Sequence, residues 1–519
     1  MGEKYSRRKF LKGMTTGAVG IATIGLMGGC APKTAGSEST SSIPEKWDME
    51  ADIVICGAGG TGLAAAAEAA LQGADVLVLE KASTNGGTTR LSGGVLQAAG
   101  TKYQKELTLF QEDTPEKHFQ YWKACGEGFV NEELIRDMAE NAPSQIAWME
   151  ERGLTYDLVY GPSQIPYLSD DINAYRIHSP AGGGGRGSGG VHVDAILATC
   201  EEKGVRIEYD TTVTELLIDK SIGVIGVRAT TADGEKFVKA KKGVIVATAG
   251  IDRNIDMARD LSNQQYYDLV NNLCQCPESN TGDGIRMGME IGAAVCGFGG
   301  TIDSMVNGVG GGTIYPDGPQ LLINGAGRRF VCENSTYAYG YRAIYQQELQ
   351  LNHPCYLVFG KSALEEGSNS KWVLYPGTLD DALEKGTLIK VETIEELATG
   401  MDVDLDNLRS TFEQWNSDLE TYGEDKQFGR KNGLLPIEAS YYYMKCTCTN
   451  LGALGGLKID VNAKVLDHSD NPIPHLFAGG MCTGGWIGQY YPGSGTAILG
   501  TVHWGRKAAD SAVATEPWA

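Results

Sequence analysis

No Cys-x-x-Cys-His occurs among the 12 cysteines, so no covalently attached c-type haem is signalled. Cys-x-x-Cys pairs are missing as well, and no spacing suggests a small disulfide-stapled scaffold. Basic charge is scarce: 44 Lys and Arg face 65 Asp and Glu, a net charge of −21. That balance argues against nucleic acid and anionic membrane surfaces as partners and is expected to serve solubility. Long hydrophobic runs are absent too. The apolar stretch from Gly13 to Gly29 is too short and glycine-rich for a convincing membrane span. No internal repeat is visible, and the 70 glycines follow no collagen-like period.

What is present is a globular chain of 519 residues with 42% hydrophobic content, enough for two or three domains. Abundant glycine implies tight turns and close backbone approaches to a ligand. Residues 1–30 read as a targeting segment: Ser6-Arg7-Arg8-Lys9-Phe10-Leu11-Lys12 matches a twin-arginine export signal. The protein is therefore expected in the periplasm or at the outer face of the cell membrane, exported already folded around a cofactor. Cys30, after Leu-Met-Gly-Gly, resembles a lipoprotein cleavage site, although Met27 stands where Leu is usual. Lipidation stays open, and such an anchor would be the only membrane contact. Residues 31–47 read as a flexible tether. Two Cys-x-Cys pairs, Cys274/Cys276 and Cys446/Cys448, leave three alternatives. Packed thiols are favoured; ligands of a metal or iron–sulfur cluster and local redox pairs are the others.

The clearest signal is ADIVICGAGGTGLAAAAEAALQGADVLVLEK, residues 51–81. Ile53 to Cys56 reads as a strand, a small-residue helix follows, and Val76 to Leu79 reads as a second strand. Gly57, Gly59, Gly60 and Gly62 make the GxGxxG turn that lets a pyrophosphate approach the helix N-terminus. Glu80, 18 residues after Gly62, suits a hydrogen bond to ribose hydroxyls, and Lys81 follows it. A dinucleotide is expected. Three further stretches favour FAD over NAD. One is the loop carrying Gly87, Thr88, Thr89, Ser92, Gly93 and Gly94. Another is the strand ending at Thr248, Ala249 and Gly250. The third is the strand ending at Gly479 and Gly480. Asp283 lies in NTGDG, a capped helix start. The run GGGGRGSGG, 182–190, reads as a loop over the cofactor. The arrangement resembles flavoproteins in which distant segments wrap one extended, non-covalent FAD. In that class the last helix aims its N-terminus at the flavin, which here implicates Gly495, Thr496, Ala497 and Ile498.

The expected fold is α/β: a Rossmann-like FAD-binding domain, 48–296 and 452–519, with an inserted α+β capping domain, 297–451. GGTTRLSGG, NTGDG, LLINGAGRRFVCENS, LGALGGLKIDVNAKVL and YYPGSGTAILGTVHWGRKAA carry a specific resemblance. The chain resembles the fumarate reductase / 3-ketosteroid dehydrogenase flavoproteins. The fumarate branch implies arginines and histidines gripping two carboxylates. Those slots hold Gly452 to Gly456, Tyr491 to Gly495, and Tyr337 instead, and a dicarboxylate there would be unpaired and desolvated.

The ketosteroid dehydrogenase branch fits better. That resemblance implies Tyr337 as the proton acid/base, with Tyr491 O–H and Gly495 N–H clamping a carbonyl oxygen. Negative charge developing on such an oxygen is stabilised by donors already aimed at it, and a tyrosine is a sensible proton partner for an enolate carbon. A side chain at Gly495 is expected to crowd the ligand. Tyr103 and Tyr121 are candidates for a helper tyrosine and Trp486 for a pocket wall. Packing is expected of Tyr490, His178 and His192. Exported relatives, one of a type that reduces cardiac glycosides, imply reduction of a steroid-like enone or unsaturated lactone by hydride from flavin N5. The electrons would come from an external membrane cytochrome or quinol system. Desaturation of a 3-ketosteroid is the alternative, and reduction of fumarate or urocanate is the less favoured one.

Overall fold

The strand Met49–Cys56 (β1) ends in four consecutive buried residues, Ile53 to Cys56. A strand buried on both faces needs neighbours whose helices cover it, and the result is a parallel sheet. The computed structural model describes residues 44–161, 165, 167–183, 185, 187–306, 319–364 and 379–518. The twin-arginine motif and Cys30 lie outside the described residues. No described helix is long and apolar enough to cross a membrane.

The main sheet continues with Val76–Leu79 (β2), Arg206–Glu208 (β3), Thr212–Asp219 (β4), Gly223–Thr231 (β5), Gly234–Val246 (β6), Lys464–Leu466 (β7) and Pro472–Ala478 (β8). Its order is β7-β8-β6-β1-β2-β3, with the β4–β5 hairpin joined to β6. β1 runs parallel to β2 and β6, and β8 runs parallel to β6. The carboxyl ends of β1, β2, β6 and β8 therefore share one edge. Loops leaving that edge are where ligands bind in such sheets. Helix Gly60–Leu71 (α1) starts directly after β1. A Cβ at Gly62 would lie 1.8 Å from Gly57 O, so only glycine lets the helix sit on the loop. Five of its six alanines, Ala64 to Ala67 and Ala69, are fully buried. They face the C-terminal helix, whose Gly505 lies so close that a Cβ would stand 2.6 Å from Thr61 O.

Between β6 and β7 the chain builds a separate antiparallel sheet from Leu321–Ile323, Tyr356–Gly360, Tyr441–Lys445 and Ile389–Val391. Strand alternation splits its side chains between two apolar clusters. Leu322, Leu357, Phe359, Tyr442 and Met444 go to one face, and Leu321, Ile323, Val358 and Tyr443 to the other. Thr301–Val306 pairs with Thr447–Ala453, and Val295–Cys296 with Gly456–Leu457. These pairings tie the two ends of the inserted segment back to each other.

Candidate active site

Two cavities meet at the carboxyl edge of the sheet. The first is a cleft of about 970 Å³, open mouth included, running from the Gly57 turn past Glu80 to Gly479. At its floor α1 starts with no side-chain cap, leaving first-turn N–H groups for an anion. Gly57 has φ +105°, and a Cβ on Gly59 would meet nothing within 4 Å, so the space above the turn is open. Glu80 closes the ribose end. Its carboxylate accepts from Ala58 N–H at 2.6 Å and Ala82 N–H at 2.7 Å, and each oxygen keeps lone-pair capacity for a hydroxyl. Lys81 is paired with Asp283 at 2.8 Å and donates to Thr281. A turn of free amides, an acidic ribose partner and an elongated cleft fit the adenine-to-pyrophosphate part of FAD.

Most of the residues expected to hold the cofactor do line this cleft: Gly57, Gly59, Gly60, Glu80, Lys81 and Gly87, then Thr88, Thr89, Thr248, Ala249, Asp283 and Gly479. Four do not reach either cavity. Gly62 and Gly480 are packing glycines, the latter so close to Thr61 that a Cβ would lie 2.1 Å from its hydroxyl. Gly250 backs onto Asp252, and Thr496 turns its hydroxyl to Gly493 O at 3.1 Å. Asp252 and Asn280 line the cleft without having been singled out. Asp252 accepts from Asn280 and from Ala453 N–H, both at 2.7 Å, and Asn280 reaches Thr88 at 2.9 Å. Burial raises the Asp252 carboxyl above its ordinary range.

The second cavity, about 1010 Å³, shares Thr88, Thr89, Leu451, Met481 and Thr501 with the first. Ser92, Gly93, Gly94, Gly495, Ala497 and Ile498, also expected on the cofactor, line this second space. Among its described lining residues none is Asp, Glu, Lys, Arg or His. Three are tyrosines, Tyr160, Tyr337 and Tyr491, beside Ser494 and Gln275.

Tyr337 is delivered by local structure. Arg329 forms ion pairs with Glu333 at 2.7 Å and Asp425 at 2.9 Å, all three buried, which anchors the preceding turn. Thr336 then caps Tyr339 N–H at 3.1 Å and starts helix Tyr337–Leu351 (α2) with Tyr337 at its first position. The Tyr337 phenol lies 3.3 Å from Ser494 Oγ, and its ring centre is 6.3 Å from that of Tyr491. Burial, then the nearby Tyr491, hold the Tyr337 phenol well above its ordinary range.

Tyr491 comes from the turn before helix Thr496–Val513 (α3). Its hydroxyl oxygen accepts the Ala497 N–H at 2.8 Å, and the Gly495 and Thr496 amides are close by. Burial raises this phenol and those amides oppose the rise. Gly495 has φ +94°, and a Cβ there would lie 2.6 Å from Gln97 N. The expected clash with ligand is thus a clash with the Leu96–Gln97 main chain.

The expectations for Tyr103, Tyr121 and Trp486 need correction. Tyr103 donates to Glu150 at 2.6 Å and Tyr121 to Pro492 O at 2.6 Å; neither lines the cavity. Tyr160, at the end of strand Tyr156–Tyr160, lines it instead, and nothing local in its sequence marks it. Trp486 packs on Gly500, away from the cavity, with its N–H on Thr483 at 3.0 Å. Tyr490 is buried edge-on against Tyr339. His178 and His192 bond to Thr101 and Gly94 O, both at 2.6 Å. Of the glycine run, the described Gly187 and Gly189 donate to Ser92 O, both at 3.0 Å, which folds it over the Thr88–Gly94 loop. The described cysteines form no disulfide. Among the described residues no group of three or more His, Cys, Asp or Glu could hold a metal.

The family described as "FAD binding domain" matches residues 52–498. The chain is 31% identical to digoxin reductase of Eggerthella lenta, over 99% of this chain and 97% of that protein. It is 30% identical to urocanate reductase of the same organism, over 91% of this chain and 76% of that protein. Among solved structures it is similar to the 3-ketosteroid Δ4-(5α)-dehydrogenase of Rhodococcus jostii in complex with 4-androstene-3,17-dione. The TM-score is 0.78 and the identity 29%, covering 90% of this chain and 98% of that one.

Proposed function

This chain belongs to the FAD binding domain family, as an FAD-dependent oxidoreductase of the fumarate reductase / ketosteroid dehydrogenase type acting on carbon–carbon bonds, and we propose that it reduces a C=C bond conjugated to a neutral carbonyl. The substrate class is a steroid-like enone or unsaturated lactone. One observation carries this: the second cavity offers three phenols and no charged side chain among its described residues. A carboxylate brought there would lose its hydration without gaining a cation.

FAD, when bound, supplies the hydride. The chain's own groups handle the oxygen and the proton. Tyr491 already accepts from Ala497, so its own hydrogen is left to donate to the substrate carbonyl. Gly495 N–H is the second donor to that oxygen. Donors fixed before the reaction are worth about 3–4 kcal/mol each where charge develops. Tyr337 gives the proton to the carbon next to the carbonyl and recovers it through Ser494, 3.3 Å away. Its raised proton affinity keeps it protonated at neutral pH. Tyr160, beside both phenols, takes the helper position.

Similarity to digoxin reductase over nearly the whole of both chains supports reduction. Similarity to the ketosteroid dehydrogenase supports a second reading, desaturation of a saturated 3-ketone in the same site. The leader motif Ser6 to Lys12 supports export, with electrons arriving from an external membrane cytochrome or quinol system. Cell fractionation tests the location. Anaerobic turnover with reduced viologen, offering 4-androstene-3,17-dione, digoxin, fumarate and urocanate, tests the chemistry.

A further inference from the structure

Every carbonyl from Pro492 to Gly495 accepts a hydrogen bond. Tyr121 Oη donates to Pro492 O at 2.6 Å. Thr496 Oγ1 donates to Gly493 O at 3.1 Å. The Gln97 side-chain amide makes a long contact of 3.5 Å to Ser494 O, and the Gln97 main-chain N–H donates to Gly495 O at 3.3 Å. Neither Gln97 nor Tyr121 lines either cavity. They hold the turn from behind. Within a planar trans peptide, C=O and N–H point in opposite directions. Holding Ser494 O toward Gln97 therefore directs Gly495 N–H the other way, toward the cavity that Gly495 and Tyr491 both line.

Gln97 is itself fixed. Its side-chain oxygen accepts from Trp122 Nε1 at 2.9 Å and lies 3.0 Å from His118 Nε2. Burial, and then Arg176, keep His118 neutral. His118, Tyr121 and Trp122 all stand on helix Pro115–Gly126. Gln97 is 2% exposed and Tyr121 2%, so this is a rigid wall and not a surface contact.

We infer that Gln97 and Tyr121 are positioning residues, which aim the Tyr491 hydroxyl and the Gly495 amide at the substrate carbonyl by pinning the Pro492–Gly495 turn. The inference rests on the carbonyl-clamp reading above. It assigns a role to the helix Pro115–Gly126 that needs no contact with substrate. Catalysis tolerates little error here, because a donor is useful only when it points at the place where charge appears.

The test uses the FAD-loaded full chain, with Tyr121→Phe and Gln97→Met as variants. Tyr121→Phe removes one oxygen; Gln97→Met keeps the volume and removes both the acceptor oxygen and the donor nitrogen of the amide. The first readout is kcat against the dissociation constant for 4-androstene-3,17-dione. The second is the titration midpoint of bound 4-nitrophenol, a planar phenol whose anion the clamp should favour, followed by difference absorbance. A fall in kcat of about tenfold or more, a dissociation constant within about threefold, and a phenol midpoint moved up toward that of free 4-nitrophenol are expected. FAD content equal to wild type shows that each variant is folded. Wild-type kcat and an unmoved midpoint in both variants overturn the inference. So does loss of FAD with an unmoved midpoint in the protein that remains, which would mark a structural role alone. A wild type that reduces no neutral enone removes the parent reading, and this inference with it.

Discussion

The main-chain N–H of Ala497 donates a 2.8 Å hydrogen bond to the phenol oxygen of Tyr491. One contact thus ties the first turn of the C-terminal helix to the cavity wall. It uses an N–H that no helix carbonyl can satisfy, and it fixes which way the phenol hydrogen can point. The positive end of the helix lies against the same oxygen and opposes part of the rise that burial imposes on this phenol.

Tyr491→Phe should therefore be costly to the reaction and mild to the fold. Loss of one preorganised donor lowers kcat by about 10²–10³-fold. The freed Ala497 N–H costs about 1–3 kcal/mol of stability if nothing replaces the hydroxyl. Steady-state kinetics and denaturant unfolding of the same preparation check both. Unchanged kcat would take Tyr491 out of the clamp.

Tyr337→Phe should abolish turnover while FAD and 4-androstene-3,17-dione still bind, as seen by flavin absorbance and ligand titration. Wild-type kcat should show no loss of the acid form near pH 10, the ordinary phenol value, because burial raises Tyr337 well above it. The stability sign runs the other way at high pH. The folded state holds these phenolic protons above the pH at which the unfolded chain releases them. Stability is thus full below about pH 10 and declines as pH rises further.

Gly62→Ala should yield protein without flavin. The added Cβ would lie 1.8 Å from Gly57 O, forcing α1 away from the turn that receives the pyrophosphate. Visible flavin absorbance per protein is the measurement, and a variant with a full complement of FAD would contradict the assignment of this turn.

Burial depresses His178 and His192 to about 4. Both are neutral in the folded protein and charge more readily when unfolded. Their contribution is complete above about pH 6.5 and is lost as pH falls toward 4, about 3 kcal/mol each by then. His192→Gln should therefore lose less unfolding free energy than wild type between pH 7 and pH 4. Equal losses would show that His192 does not titrate as its burial requires.

The fold was legible where local pattern decides it. Ile53 to Cys56, the glycine turn, Val76 to Leu79 and Glu80 act over short spans, and each stands where its sequence implies. Thr336 before Tyr337 and Gly495 before Thr496 likewise set helix starts within one turn. What could not be read is what tertiary packing brings together. Tyr160 reaches the cavity because its strand pairs with Ile177–Pro180, and no neighbour in sequence signals that. Tyr121, a helper candidate, supports the Pro492 carbonyl from outside. Gly62 and Gly480 belong to the glycine motifs yet serve packing, because a missing side chain suits close backbone approach as well as ligand approach.

The most direct test of the central claim is anaerobic reoxidation of the FAD-reduced protein by four candidates: 4-androstene-3,17-dione, digoxin, fumarate and urocanate. The cavity without described charge predicts that one or both neutral compounds restore the oxidised flavin spectrum and that fumarate and urocanate leave it bleached. Reoxidation by a carboxylate alone, with both neutral compounds inert, would contradict it.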